Sequence, residues 1–171
     1  MEATTVQHID EASGTPVGAL AGKYLAFSLG HEDYGVPVLK VREIIKVIEI
    51  TQVPQVPPHV RGVINLRGKV IPVVDLRLKF GLEAQDYTER TCIIVAEVSM
   101  GGASVMVGMV VDSVSEVLNI GGNDIAETPD FGGRVRTDFI LALAKSKGSV
   151  KILLDLDRVL AADSQIGGPA I

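Results

Sequence analysis

The 171-residue chain carries 21 acidic side chains against 16 basic ones, a formal charge of −5. It therefore lacks the cationic excess with which a protein displaces counterions from DNA or RNA regardless of sequence. Hydrophobic residues make up 47% and charged residues 22%, the proportions of a soluble globular domain with a sizeable core, and no apolar run reaches the roughly 18 residues that a membrane-spanning helix needs.

Residues 1–22 mix Thr, Gly, Ala, Pro and acidic residues without periodicity. They read as a tail, with neither the basic start nor the continuous apolar middle of a secretory signal. Over residues 23–29, Leu25, Phe27 and Leu29 alternate with Tyr24, Ala26 and Ser28, the period-two pattern of a half-buried strand. The polar run Gly30-His31-Glu32-Asp33 turns the chain, and residues 34–38 return as a second strand. Across residues 38–48, Val38, Val41, Ile44, Ile45 and Ile48 recur at spacings of three and four. That spacing predicts a short amphipathic helix, poor in propensity because its residues are β-branched and so dependent on packing. Residues 48–56 read as an edge strand and crossover, since Pro54, Pro57 and Pro58 deny the region backbone donors.

Residues 61–77, R-G-V-I-N-L-R-G-K-V-I-P-V-V-D-L-R, form the most informative segment. Two apolar stretches broken at Gly68 predict a hairpin, with Ile64 and Leu66 on one face and Asn65 and Arg67 on the other. Asp75 then caps a helix over 76–80, which Gly81 closes. After a polar passage, residues 91–98 and 105–111 predict another strand pair, followed by Asp112 as the cap of a helix carrying Val114, Val117 and Leu118. Residues 121–136 read as a long loop. Residues 139–144 and 150–154 form a last hairpin around Lys145-Ser146-Lys147-Gly148, and Asp155 starts a closing helix that runs to Leu160.

The two halves repeat. Gly35-Val36-Pro37-Val38, Val41, Glu43 and Ile44 lie over Gly108-Met109-Val110-Val111, Val114, Glu116 and Val117, an offset of 73 residues; Asp75-Leu76 lies over Asp155-Leu156, an offset of 80. About five short strands per half predict two small β-barrels, and so few aromatic residues, 4% of the chain, predict a shared core of Val, Ile and Leu.

Few residues of the chain carry the spacing of a reactive site. His8, His31 and His59 lack ligand spacing, and the single cysteine, Cys92, opens an apolar strand as a buried thiol would. Without a second cysteine there is no internal disulfide, which fits a reducing cytoplasm. Gly102-Ala103-Ser104-Val105-Met106 lacks the second glycine of a nucleophile elbow, and the glycine pairs lack the spacing of a phosphate loop. Asp75, Asp112 and Asp155 read as caps. A binding protein without metal or cofactor is the expectation, against a small-ligand-binding or enzymatic double barrel, which a convergent polar pocket would reveal.

The run N-L-R-G-K-V-I-P-V-V-D-L-R, together with Tyr34-Gly35-Val36, Val41-Arg42-Glu43-Ile44 and Val107-Gly108-Met109-Val110-Val111-Asp112 ahead of Val114 and Val117, resembles the CheW family. These are the coupling proteins that link bacterial chemoreceptors to the histidine kinase CheA. The likeness runs in order over about 23–160. It implies a mainly β fold of two intertwined five-stranded SH3-like β-barrels with short helices and a shared hydrophobic core. The expected boundaries are subdomains of about 23–85 and about 90–160, with tails at 1–22 and 161–171. It further implies a cytoplasmic, non-enzymatic adaptor without cofactor, monomeric in isolation and recruited to membrane-associated receptor arrays without inserting. Its partners would be the cytoplasmic tip of chemoreceptors and the regulatory domain of CheA. The resemblance places Val41, Glu43 and Arg67 at the receptor or kinase contact, and Asn65 shares the hairpin face of Arg67. The repeat suggests Val111 and Val114 for the kinase side. An adaptor of another chemosensory pathway, such as pilus-based motility, is the neighbouring expectation.

Overall fold

The computed structural model describes residues 20–126, 128–129 and 138–161, without the side chain of Met100. In chain order the strands are β1 (Gly22–Leu29), β2 (Glu32–Pro37), β3 (Val41–Lys46), β4 (Val60–Leu66), β5 (Lys69–Asp75), β6 (Cys92–Met100), β7 (Ala103–Val111), β8 (Ser113–Ile120), β9 (Ile125–Ala126), β10 (Ile140–Ser146) and β11 (Ser149–Leu154). Helix α1 (Leu76–Lys79) follows β5 and helix α2 (Leu156–Leu160) follows β11, while 3-10 turns occupy Val38–Lys40 and Gly122–Asp124.

The strands form two sheets, ordered β3-β6-β7-β5-β4 and β8-β1-β2-β11-β10-β9. The first is continuous in sequence; the second is assembled from β1 and β2 together with β8 to β11. The expected division into 23–85 and 90–160 is thereby corrected, because each sheet contains strands of both halves. Under the repeat, β1 to β5 correspond to β6, β7, β8, β10 and β11. Both sheets then show one order, in which the first two strands of one half sit between the third and the last two of the other. The halves meet through the parallel pairs β5–β7 and β2–β11 and the antiparallel pairs β3–β6 and β1–β8.

This exchange explains the burial. Leu25, Phe27 and Leu29 of β1 face Ile94, Ala96, Val98, Val107, Met109 and Val111 of β6 and β7 in a central core between the sheets. The opposite faces fill separate cores, one with Tyr24, Ala26, Leu118, Ile120, Ala144 and Leu153, the other with Ile64, Ile71, Val73, Ile93, Val95 and Val110. Strand β1, expected to be half-buried, is thus covered on both faces, as are β6 and β7, whose near-continuous apolar runs suit that position. Ile45 of β3 and Ile64 of β4 come from opposite edges of one sheet and pack in the same cluster, so that sheet bends around it.

Two predicted helices are strands. Residues 38–48 give a 3-10 turn and then β3, whose side chains alternate between half-buried and exposed and which pairs with β6. β-branched Val and Ile favour that outcome. Asp112 caps no helix: β8 follows at once and pairs with β1, and the Asp112 carboxylate accepts bonds from the Gly30 amide (2.8 Å) and Arg77 Nη1 (2.6 Å). The stretch 48–56 forms no ladder beyond the bridge between Thr51 and Val63. Gly62 permits that approach, since a Cβ there would lie 2.0 Å from the Thr51 carbonyl oxygen. The predicted loop over 121–136 contains the second 3-10 turn and β9, which pairs with β10; residues 127 and 130–136 of it lie outside the described residues, as do most of both tails. The other caps stand: Asp75 accepts from the amides of Arg77 and Leu78, and Asp155 from that of Arg158.

Candidate partner-binding surface

The hairpin of β4 and β5 turns through Arg67 (φ 52°) and Gly68 (φ 89°), two left-handed residues whose twist matches that of the flanking strands. Asn65 Oδ1 accepts the Gly68 amide at 2.8 Å, so this side chain braces the turn that presents Arg67. From there the Arg67 guanidinium reaches Glu43 on β3, at the other edge of the same sheet. Nη1 donates to Glu43 Oε2 at 3.0 Å and Nη2 donates to Oε1. The planar fork of arginine matches a carboxylate in this two-bond geometry. Arg67 is 70% exposed and Glu43 30%. The guanidinium holds the Glu43 carboxyl below its ordinary value, and Glu43 raises that of Arg67 in return. Both therefore stay charged throughout the physiological range, and the pair presents a fixed donor and acceptor array to solvent. On the outer face of the same sheet, Ile44 (43%) of β3 and Val70 (70%) of β5 are exposed aliphatic side chains.

The structure thus joins Glu43 to Arg67 and sets Asn65 beside them. Val41 is half-buried and packs against the central core, separated from Glu43 by a bulge in the ladder with β6. Val111 is 1% exposed within the central core. Its expected place at a kinase contact is corrected, since β7 is covered on both faces. Val114 is half-buried against that core and pairs with Phe27.

One feature of the surface escaped the sequence reading. Lys147 Nζ donates to Glu116 Oε1 at 2.7 Å, from a turn in which Lys147 (φ 53°) and Gly148 (φ 81°) repeat the left-handed geometry of Arg67 and Gly68. The offsets of 80 and 73 residues that carry Asp75 to Asp155 and Gly35 to Gly108 also carry Arg67 to Lys147 and Glu43 to Glu116. The exposed Val117 and Val150 likewise stand where Ile44 and Val70 do. Reading the repeat through to its charged positions would have found this second pair. Beyond these, Arg77–Asp112 and Lys40–Asp157 pin the two places where the chain passes between sheets, Asp157 also accepting the Ser99 amide at 2.9 Å. Among the described residues, no three His, Cys, Asp or Glu side chains converge as metal ligands, and no helix is long and apolar enough to cross a membrane.

The family model of the CheW-like domain matches residues 23–164. The chain belongs to the CheW-like family. It is 34% identical over 155 residues to the chemotaxis protein CheW of Klebsiella aerogenes, covering 91% of this chain and 89% of that protein. With the chemotaxis protein CheW of Rhizobium meliloti it shares 36% identity over 141 residues, 82% of this chain and 88% of the relative. The crystal structure of the scaffolding protein TtCheW from Thermoanaerobacter tengcongensis superposes with a TM-score of 0.72 at 35% identity, covering 82% of this chain and 93% of that one. The CheW-like match fixes the mainly β, two-sheet architecture and sets the ion-pair surface in a family whose named members are chemotaxis and scaffolding proteins rather than enzymes.

Proposed function

We propose that this chain is a non-enzymatic chemotaxis scaffold that couples chemoreceptors to the histidine kinase CheA in the cytoplasm, binding the receptor tip and the kinase regulatory domain together. Kinase activity then follows receptor state because one protein contacts both, and each contact biases the other through the shared core. The observation that carries the reading is the Arg67–Glu43 pair, which spans the edges of one sheet whose strands also expose the aliphatic side chains of Ile44 and Val70. A partner helix can lay apolar side chains on such a surface and bond its polar groups to the pair. On the kinase side, the proposal rests on the outward residues of β8, Val117 and Glu116, with Val114 behind them.

Arg67→Glu sets two carboxylates against each other at an exposed position. Capture of a receptor cytoplasmic fragment should fall by about tenfold or more, a loss of about 1.4 kcal/mol, while the thermal midpoint of the scaffold stays nearly unchanged. Capture equal to wild type would remove Arg67 from the contact.

A further inference from the structure

The repeat supplies an internal control for every surface, and beside the closing helices the two copies part. Each closing helix stands at the seam between the sheets: α2 packs on β6 of the other sheet, while α1 lies against β5 and β7 of its own and, through Lys79 and Phe80, borders β2, β10 and β11 of the other. Beside α2 this seam is solid: Val60, Val74, Val107, Val159 and Leu160 are all buried, and of the positions compared only His59 is half-buried. Their counterparts beside α1 are Ile140, Leu154, Tyr34, Lys79 and Phe80, with Phe139 in the place of His59. Here all but Leu154 are half-buried, and they line an open cavity of about 400 Å³. Larger side chains thus stand on the open side and smaller ones on the closed side, so the cavity does not come from missing volume in its walls.

Those walls are aromatic in a chain with few aromatic residues. Phe27 and Tyr34 stack at 5.7 Å between centroids, Tyr34 and Phe80 meet at 5.7 Å, and Phe80 and Phe139 at 6.2 Å. The ladder runs from the central core to the cavity, and the Lys79 ammonium lies 5.9 Å from the Phe139 centroid. Aromatic faces and edges favour further rings in offset or tilted contact, and a cavity of this size, mainly apolar with few polar groups, has the proportions of a small-molecule site. From these observations we infer that the seam between α1 and the strands β2, β10 and β11 is a binding pocket for a flat, uncharged aromatic molecule, seated where the two sheets meet.

The test titrates the folded full-length chain with N-phenyl-1-naphthylamine, whose fluorescence rises in apolar surroundings, and follows methyl resonances in parallel. Saturation at one probe per chain is expected, with shifts at the methyl groups of Ile140, Ile152 and Leu154. Ile140→Trp fills the cavity and should weaken binding at least about tenfold without altering the circular dichroism spectrum; Ile152→Trp serves the same purpose if the first variant does not fold. Absence of saturable binding, shifts confined to other methyl groups, or undiminished affinity in the folded cavity-filled variant would overturn the assignment.

Discussion

The two hairpins that end each half share a turn, a capping aspartate and an ion pair, yet they are finished differently. In the β4–β5 hairpin the strand faces carry Ile64 and Ile71, both 1% exposed. In β10–β11 the same positions carry Ala144 and Lys151, the lysine buried and donating to Asp33 Oδ2 at 2.9 Å. The first sheet is therefore closed by aliphatic packing and the second by a small residue and a charge pair. A duplicated backbone plan tolerates either solution, and what it conserves between copies is the turn that holds the exposed cation and the carboxylate it meets.

The largest expected effect breaks the aliphatic side. Ile64→Ala removes a fully buried side chain and should cost about 2–5 kcal/mol in chemical denaturation; an unchanged midpoint would contradict the facing of β4. Next come the caps. Asp75 is 3% exposed and accepts two amides and the Tyr87 hydroxyl, whereas Asp155 accepts the Arg158 amide, has the Arg158 guanidinium 3.6 Å away, and is more open to water. Asp75→Ala should therefore cost about 2 kcal/mol and Asp155→Ala about 1 or less, and equal losses would argue against the difference in burial. The smallest effect is a matter of pH. Lys151, with help from Ser28, holds the Asp33 carboxyl below its ordinary value. A folded value lower than the unfolded one contributes stability that is complete above the ordinary carboxylate range and is lost as pH falls through the lowered value. Asp33→Asn should thus be less stable than wild type at neutral pH, and the gap should close in acid; a gap that persists unchanged at low pH would show that the charge pair is not its source.

Much of this plan was legible in the sequence, for physical reasons. The hairpins announced themselves through alternation and a glycine-containing turn, the caps through an aspartate between an apolar strand and a helix, and the repeat through matched spacing. The helix expected over 38–48 failed because β3 lies at a sheet edge and carries Ile44 outward as well as Ile45 inward, so apolar residues on both faces mimic helical spacing. Strand β8 misled in the same way through the exposed Val117. The exchange of strands was illegible from the repeat alone, which says only which strands are alike, since pairing within or between halves buries the same side chains; the family resemblance alone implied intertwined barrels. The contact of Arg67 with Glu43 joins residues 24 positions apart at opposite sheet edges, a closeness that only the bent sheet creates.

The central claim is simultaneous engagement, and one mixture tests it. The chain, a receptor cytoplasmic fragment and CheA should co-elute as a three-component complex in size-exclusion chromatography, and the receptor fragment and CheA should separate when the scaffold is left out or replaced by Arg67→Glu. A chain that binds either partner but is displaced from one by the other would contradict the account.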